Sequence, residues 1–217
     1  STAELSIVQA RKEINLFAER MSRMFGMLKE LLHTTNENDF NKLFSRIEKY
    51  ENISDNMELE IANYLNKVSE GRLSSESKLE IRGMLREVTE IESIGDSCYN
   101  LARTINRKRS GGNDFTEKQY EHIHQMMQLT DDALAQMIAV VEDEHHAVDV
   151  NKSFNIENEM NNYRAQLKNQ NVVDVNNKEY DYQMGVHYMD LIGECEKLAD
   201  YVVNVVEART NVKEKKA

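Results

Sequence analysis

The sequence predicts an all-α protein, two tandem antiparallel three-helix bundles related by internal duplication, on three observations. The 217 residues include no Pro and only 8 Gly, too little punctuation for hairpins or sandwiches. Apolar residues recur at three- and four-residue steps through six long segments. Ser110-Gly111-Gly112-Asn113 then divides the chain almost in half, giving expected units 1–110 and 111–217.

Each segment has its own start and stop signals. Helix one opens from a Ser1/Glu4 capping box and carries Ile7, Ile14, Phe17, Met21, Met24, Leu28 and Leu31 before Thr34–Asn38 ends it. Helix two carries Phe40, Leu43, Phe44, Ile47, Ile61, Leu65 and Val68 and stops at Gly71, read as a left-handed cap. Helix three starts at Ser74 and carries Leu79, Met84, Leu85, Val88 and Ile91. After the linker, Asp114 with Glu117 reads as a capping box for helix four, Thr116–Glu142. Helix five is expected over Ala147–Lys168 and helix six over Asn176–Val212. Short loops make each group of three antiparallel.

Composition narrows the function. A formal charge of −11 and a pI near 5.1 argue against nucleic acid or an anionic membrane surface as direct partner, and favour cations or basic protein surfaces. Cys98 and Cys195 lie in partly apolar helical segments, as reduced thiols do in a reducing compartment. No run reaches the roughly 18 apolar residues of a membrane span, so no insertion of this chain is expected. The chain opens at Ser1 rather than Met and reads as a piece excised from a longer protein.

One polar pattern occurs twice. Glu92, Asp96 and Asn100 recur 104 positions later as Glu196, Asp200 and Asn204. Spacing by four stacks each set on one helix face, where neighbouring carboxylates repel unless a cation joins them. On helix two, Glu51, Ser54, Asp55 and Glu58 fall within about 80° of Ile47, on the core stripe. Carboxylates turned toward a core must be paired, protonated or metal-bound. Glu51 and Asp55 recur at an offset of 106 as Glu157 and Asn161, so two helices repeat in the same order. The candidate ligands are therefore Glu51, Asp55, Glu92, Asp96 and Asn100 in one half, and Glu157, Asn161, Glu196, Asp200 and Asn204 in the other. This hard oxygen donor set suits magnesium, calcium, manganese or iron. With four carboxylates against three, the first site is expected to be the tighter.

Glu92-Ser93-Ile94-Gly95-Asp96 with Asn100, and Glu196-Lys197-Leu198-Ala199-Asp200 with Asn204, resemble the two Glu-x-x-x-Asp signatures of PhoU proteins, regulators of bacterial phosphate uptake. The resemblance covers helix order, the halfway linker and both signatures. It implies paired three-helix bundles whose signature carboxylates bind divalent or trivalent metal, iron or manganese favoured, and regulation through protein contact, not catalysis. The family commonly has His after the signature Asp, where this chain has Ser97 and Tyr201. The opening Ala3–Ile14 looks like the cytosolic C-terminal domain of a sodium/phosphate cotransporter, which implies a cytoplasmic domain tethered to the inner face of the plasma membrane by a preceding transmembrane domain. Implied partners are that membrane domain or other phosphate-signalling proteins, and a homodimer is compatible. A stand-alone regulator is the first alternative.

A carboxylate-bridged metalloenzyme is the alternative from another class. Glu121 with His124 and Glu142 with His145 match the Glu-x-x-His pairs of di-iron bundles, but lie ~31 Å apart along one helix. His122 and His146 read as surface residues. Met21, Met24, Met126, Met127 and Met137 read as core filling, and Arg107-Lys108-Arg109 as cations favoured at a helix C-terminus.

Overall fold

A computed structural model describes residues 2–216, with side chains through Thr210. Six helices follow in order: α1 Thr2–His33, α2 Glu37–Ser69, α3 Ser75–Ser110, α4 Glu117–Glu142, α5 Asn151–Asn176 and α6 Tyr182–Lys216. No strand occurs among the described residues. Helices α1–α3 pack as one bundle and α4–α6 as another, joined where α3 lies along α6 and α1 meets α4. The buried apolar residues form one continuous core running through both halves. Met21, Met24, Met126, Met127 and Met137 are all within it, and both cysteines are buried as free thiols.

Side-chain caps set most helix starts. Asn36 accepts the Asp39 N–H at 3.0 Å and Ser74 the Ser77 N–H at 3.1 Å. The capping box of α4 is Thr116 with Gln119, two residues on from the expected Asp114/Glu117. Asp114 instead accepts from the Phe115 N–H, Lys108 and Tyr120. Ser1, the expected cap of α1, lies outside the described residues. Gly71 does not take a left-handed conformation, and α2 ends with Glu70 right-handed. The left-handed glycine is Gly112 (φ 79°), where the chain turns from α3 toward α4.

The largest boundary difference is at α5. It begins four residues later than expected because the Asp143 carboxylate accepts the N–H groups of His145 and Val148 and holds that stretch in a turn. It then runs on to Asn176, because nothing between Lys168 and Asn176 breaks a helix. Lys178 (φ 59°) makes the turn, and Asp181 accepts the Met184 N–H at 2.8 Å, so α6 starts later than read.

Polar contacts fix how the halves meet. On the α3–α6 seam, Asn100 donates to Glu194 at 3.0 Å and Asn204 donates to Glu90 at 3.1 Å. The pairs exchange under the 104-residue offset and run in opposite directions along the two helices, so the seam is antiparallel with an approximate two-fold. Near one end, the 1%-exposed Glu87 of α3 receives Arg11 of α1 at 2.8 Å and lies 3.7 Å from Arg209 of α6. Arg209 also donates to the Val141 carbonyl of α4 at 2.9 Å. Burial, then the neighbouring Arg11, lowers the Arg209 pKa to about 10.

Removing Glu87 leaves two guanidinium groups without their shared carboxylate in a desolvated site. Glu87→Ala is expected to cost about 3 kcal/mol in urea unfolding, with α-helical circular dichroism retained before the transition.

Candidate metal centres

The inward polar stripe of α2 faces the signature of α3. Glu51, Asp55, Glu92 and Asp96 each offer a carboxylate oxygen within 4.8 Å of the others. A Cβ at Gly95 would lie 3.4 Å from Glu51 Oε2 and 3.4 Å from Met21 Sδ, in ordinary contact with both. Side chains larger than Ala would meet these atoms at the level of the cluster. Glu58 sits one turn along α2, close enough for Asp55 and Asp96 to raise its pKa after burial has done so.

The electrostatics of this cluster are uncompensated. Among the described residues, no Lys or Arg forms an ion pair with any of the four carboxylates. The basic side chain adjoining them, Arg20, stacks on the Tyr50 ring at 3.9 Å and reaches Ser54 and the Tyr50 carbonyl. Burial pushes Glu51 up to about 9, helped by its hydrogen bond to Asp96 and by the charges of Asp96, Asp55 and Glu92. Glu92 is also pushed up to about 9, first by burial, then by hydrogen bonds to Asp96 and Asp55. Glu51 Oε2 is buried with no hydrogen-bond partner. An orphaned buried carboxyl oxygen in a ring of carboxyl groups fits a hard cation.

The second cluster repeats the geometry with less charge. Glu157, Glu196 and Asp200 gather within 4.8 Å. Asn161, in the place of Asp55, donates its amide to Glu157. Arg164 stands where the offset of 106 puts Glu58, and its Nε lies 3.9 Å from Glu196. Met160 replaces Ser54 in the same alignment and is fully buried. Burial and the charge of Glu196 raise the Asp200 pKa to about 6, while Arg164 opposes the shift.

The structure gathers the seven carboxylates among the ten residues read from the sequence as ligands, and Asn161, the eighth, bonds to Glu157. Asn100 and Asn204 have their hydrogen bonds elsewhere. Both hold the α3–α6 seam, and the Asn100 oxygen also accepts from Arg103 at 2.6 Å. Glu58 and Arg164 were missed as a contrasting pair, although the repeat aligns them. The Glu-x-x-His pairs form no centre. His124 Nε2 meets His33 Nε2 at 2.7 Å, His145 lies beyond the end of α4, and Glu142 is hydrogen-bonded to Glu19. His122 is half-buried, not a surface residue, with Nδ1 2.7 Å from the Tyr188 hydroxyl.

Without a cation, the raised carboxyls have a definite pH signature. Folded Glu51 and Glu92 keep protons that the unfolded chain loses near 4.5, so the stability they contribute is complete below that value and declines as pH rises toward about 9. In chelator, the melting temperature is expected to fall between about pH 5.5 and about pH 8.5, and Glu51→Gln is expected to flatten the fall, by differential scanning fluorimetry.

Comparison with known proteins bears on both halves. The family model described as the PhoU domain matches residues 14–105. The phosphate transport system regulatory protein PhoU from Streptococcus pneumoniae superposes with a TM-score of 0.81 at 14% identity, covering 98% of this chain and 97% of that one. PhoU from Pseudomonas aeruginosa superposes with a TM-score of 0.75 at 12% identity, covering 98% and 99%. A comparison with curated protein sequences returned no match.

Proposed function

Because residues 14–105 match the PhoU-domain model and the superposition on a PhoU structure covers 98% of the chain, we propose that this chain is a metal-loaded regulatory domain of phosphate transport. It acts by contact with the transport or signalling machinery and is not an enzyme. The observation that carries the metal part is the buried, partnerless Glu51 Oε2 in a cluster with no protein counter-charge. Glu51, Asp55, Glu92 and Asp96 would hold one ion, and Glu157, Glu196 and Asp200 with the Asn161 oxygen the other. A bound cation would supply the missing positive charge and tie α2 to α3, or α5 to α6. The all-oxygen set suits magnesium, calcium, manganese or iron, and the resemblance to PhoU proteins makes iron or manganese the favoured occupant.

The setting is part of the proposal. We place the chain as the cytosolic C-terminal domain of a sodium/phosphate cotransporter, held at the inner face of the plasma membrane by preceding spans. No helix of the described residues is long and apolar enough to cross a membrane. A reading frame with several apolar stretches near ~20 residues upstream of Ser1 supports this, and a start codon at that boundary overturns it. A stand-alone regulator is the second reading, favoured by superposition on 97% and 99% of the two PhoU chains. In either setting the halves 1–110 and 111–217 are copies of one ancestral unit, as the exchanging Asn–Glu pairs suggest.

Charge separates the two metal sites. Asp96→Asn is expected to weaken binding at a site of four carboxylates, and Asp200→Asn at one of three already opposed by Arg164. Titration of chelated protein with manganese, followed calorimetrically, should show a tighter and a weaker event. Asp96→Asn should remove the tighter one, and loss of the weaker one instead overturns the order.

Bound metal also reverses the pH signature. Coordinated carboxylates have depressed folded pKa values, so metal-linked stability is present above the unfolded value near 4 and is lost as pH falls through the lower folded one. Chelation at neutral pH is expected to lower the melting temperature of native protein, and to do so less in Asp96→Asn. Native protein that carries no metal by elemental analysis, and does not respond to chelator, overturns the metal reading.

A further inference from the structure

The first half has a basic face that the repeat does not explain. Lys42, Arg46 and Lys49 recur at helical spacing on one exposed side of α2 and, with Ser45, Glu48 and Asn52 of the same helix, line a depression of about 520 Å³. Beside them, Arg23 of α1 hydrogen-bonds Tyr50, and Arg20 of α1 lies over the same ring at 3.9 Å. These contacts and the Arg46 charge lower the Tyr50 pKa. None of Arg20, Arg23, Lys42, Arg46 and Lys49 forms an ion pair among the described residues. Glu48 is the one acid in the lining, and its carboxylate accepts from Tyr99 of α3 at 3.1 Å. At the offset of 106 the second half has Val148, Lys152, Asn155 and Ile156 in place of Lys42, Arg46, Lys49 and Tyr50. Of the three α2 cations, only Arg46 has a cationic counterpart, Lys152, in the other copy.

Five neighbouring cations that form no ion pair repel one another, and an anionic surface laid across them relieves that repulsion. We propose that the groove along the first half of α2, flanked by Arg20 and Arg23 of α1, docks an acidic segment of a protein partner. The charge elsewhere decides between acidic ligands. The whole chain carries −11, so outside these five cations it carries −16. A planar anionic membrane or a long nucleic acid meets that remainder as well as the groove and is repelled by it. A narrow carboxylate-bearing segment meets only the groove, because screening over ~8 Å at physiological salt hides the rest. Arg23 and Arg46 offer forks for bidentate carboxylate contact, and Lys42 and Lys49 extend the field along α2. The depression is open and lined by exposed side chains, which suits an extended segment better than a single small anion.

This inference rests on the reading of the chain as a regulator acting through protein contact, and its test is separate from the metal. The probe is a fluorescein-labelled unstructured peptide rich in Glu, with its Gln analogue as control, titrated with metal-loaded full chain by fluorescence anisotropy. The Glu peptide is expected to bind, with affinity falling as NaCl rises, and the Gln analogue is not. Arg23→Gln/Arg46→Gln/Lys49→Gln, all exposed positions, is expected to weaken binding about tenfold or more. Arg72→Gln/Lys78→Gln/Lys168→Gln removes equal charge elsewhere and is expected to leave it within about twofold. Equal losses in the two triple variants overturn the proposal, as does tighter binding to phosphatidylserine vesicles than to the peptide. Self-association by sedimentation that the groove variant abolishes also overturns it, in favour of a second copy as occupant. Metal content measured on the same samples keeps this result distinct from the proposed function: an unbound peptide on metal-loaded protein removes the groove alone.

Discussion

The arrangement of the two halves depends on one buried carboxylate. Glu87 takes Arg11 from α1 and faces Arg209 from α6, and Arg209 reaches the last turn of α4. A buried ion network of this kind gains little net stability, because desolvation offsets most of its Coulomb attraction. Its strength is intolerance of alternatives: if one bundle shifts against the other by a turn, Glu87 loses a partner in a site that water does not reach. Apolar contacts along α3 and α6 accept many registers, whereas this carboxylate and the two Asn–Glu pairs accept one.

Within that frame, duplication has preserved geometry and altered charge. The two acidic clusters have the same backbone setting, yet one faces Glu58 and the other Arg164. A guanidinium built into the second cluster supplies positive charge that the first cluster lacks among its ion pairs, and the replacement of Asp55 by Asn161 removes a further negative charge. The same divergence marks the α2 surface, where a basic face sits beside an acidic core stripe on one helix and keeps only Lys152 as a counterpart on α5. Opposite charges on adjacent faces remain distinct because the helix holds them to different sides and the interior between them is dry.

The six helices were legible because their apolar periodicity is strong and nothing else in the composition competes with it. Boundaries were legible only where a single residue decides them. Thr116 with Gln119 displaced Asp114 with Glu117, and Asp143 postponed α5 by recruiting two backbone N–H groups into a turn. The carboxylates were visible through the spacing of Glu92 with Asp96 and of Glu196 with Asp200, and through the inward angle of Glu51. The seam contacts of Asn100 and Asn204 were not legible, because periodicity gives a direction around the helix axis and not the neighbour met in that direction. Their partners Glu90 and Glu194 carry the same offset, a signal that becomes readable only once α3 is known to lie against α6.

That antiparallel seam has a mechanical consequence. The contacts of Asn100 with Glu194 and of Glu90 with Asn204 are symmetric about the level of Gly95 on α3 and Ala199 on α6. Two helices tied about one level move least there and most at their tips. Asp96 and Asp200 sit one residue from that level, so a tilt of one half against the other would leave the distances within either cluster nearly unchanged. The same tilt would carry the far ends of α3 and α6 through the widest arc, separating the place where the carboxylate geometry is kept from the places where displacement is greatest.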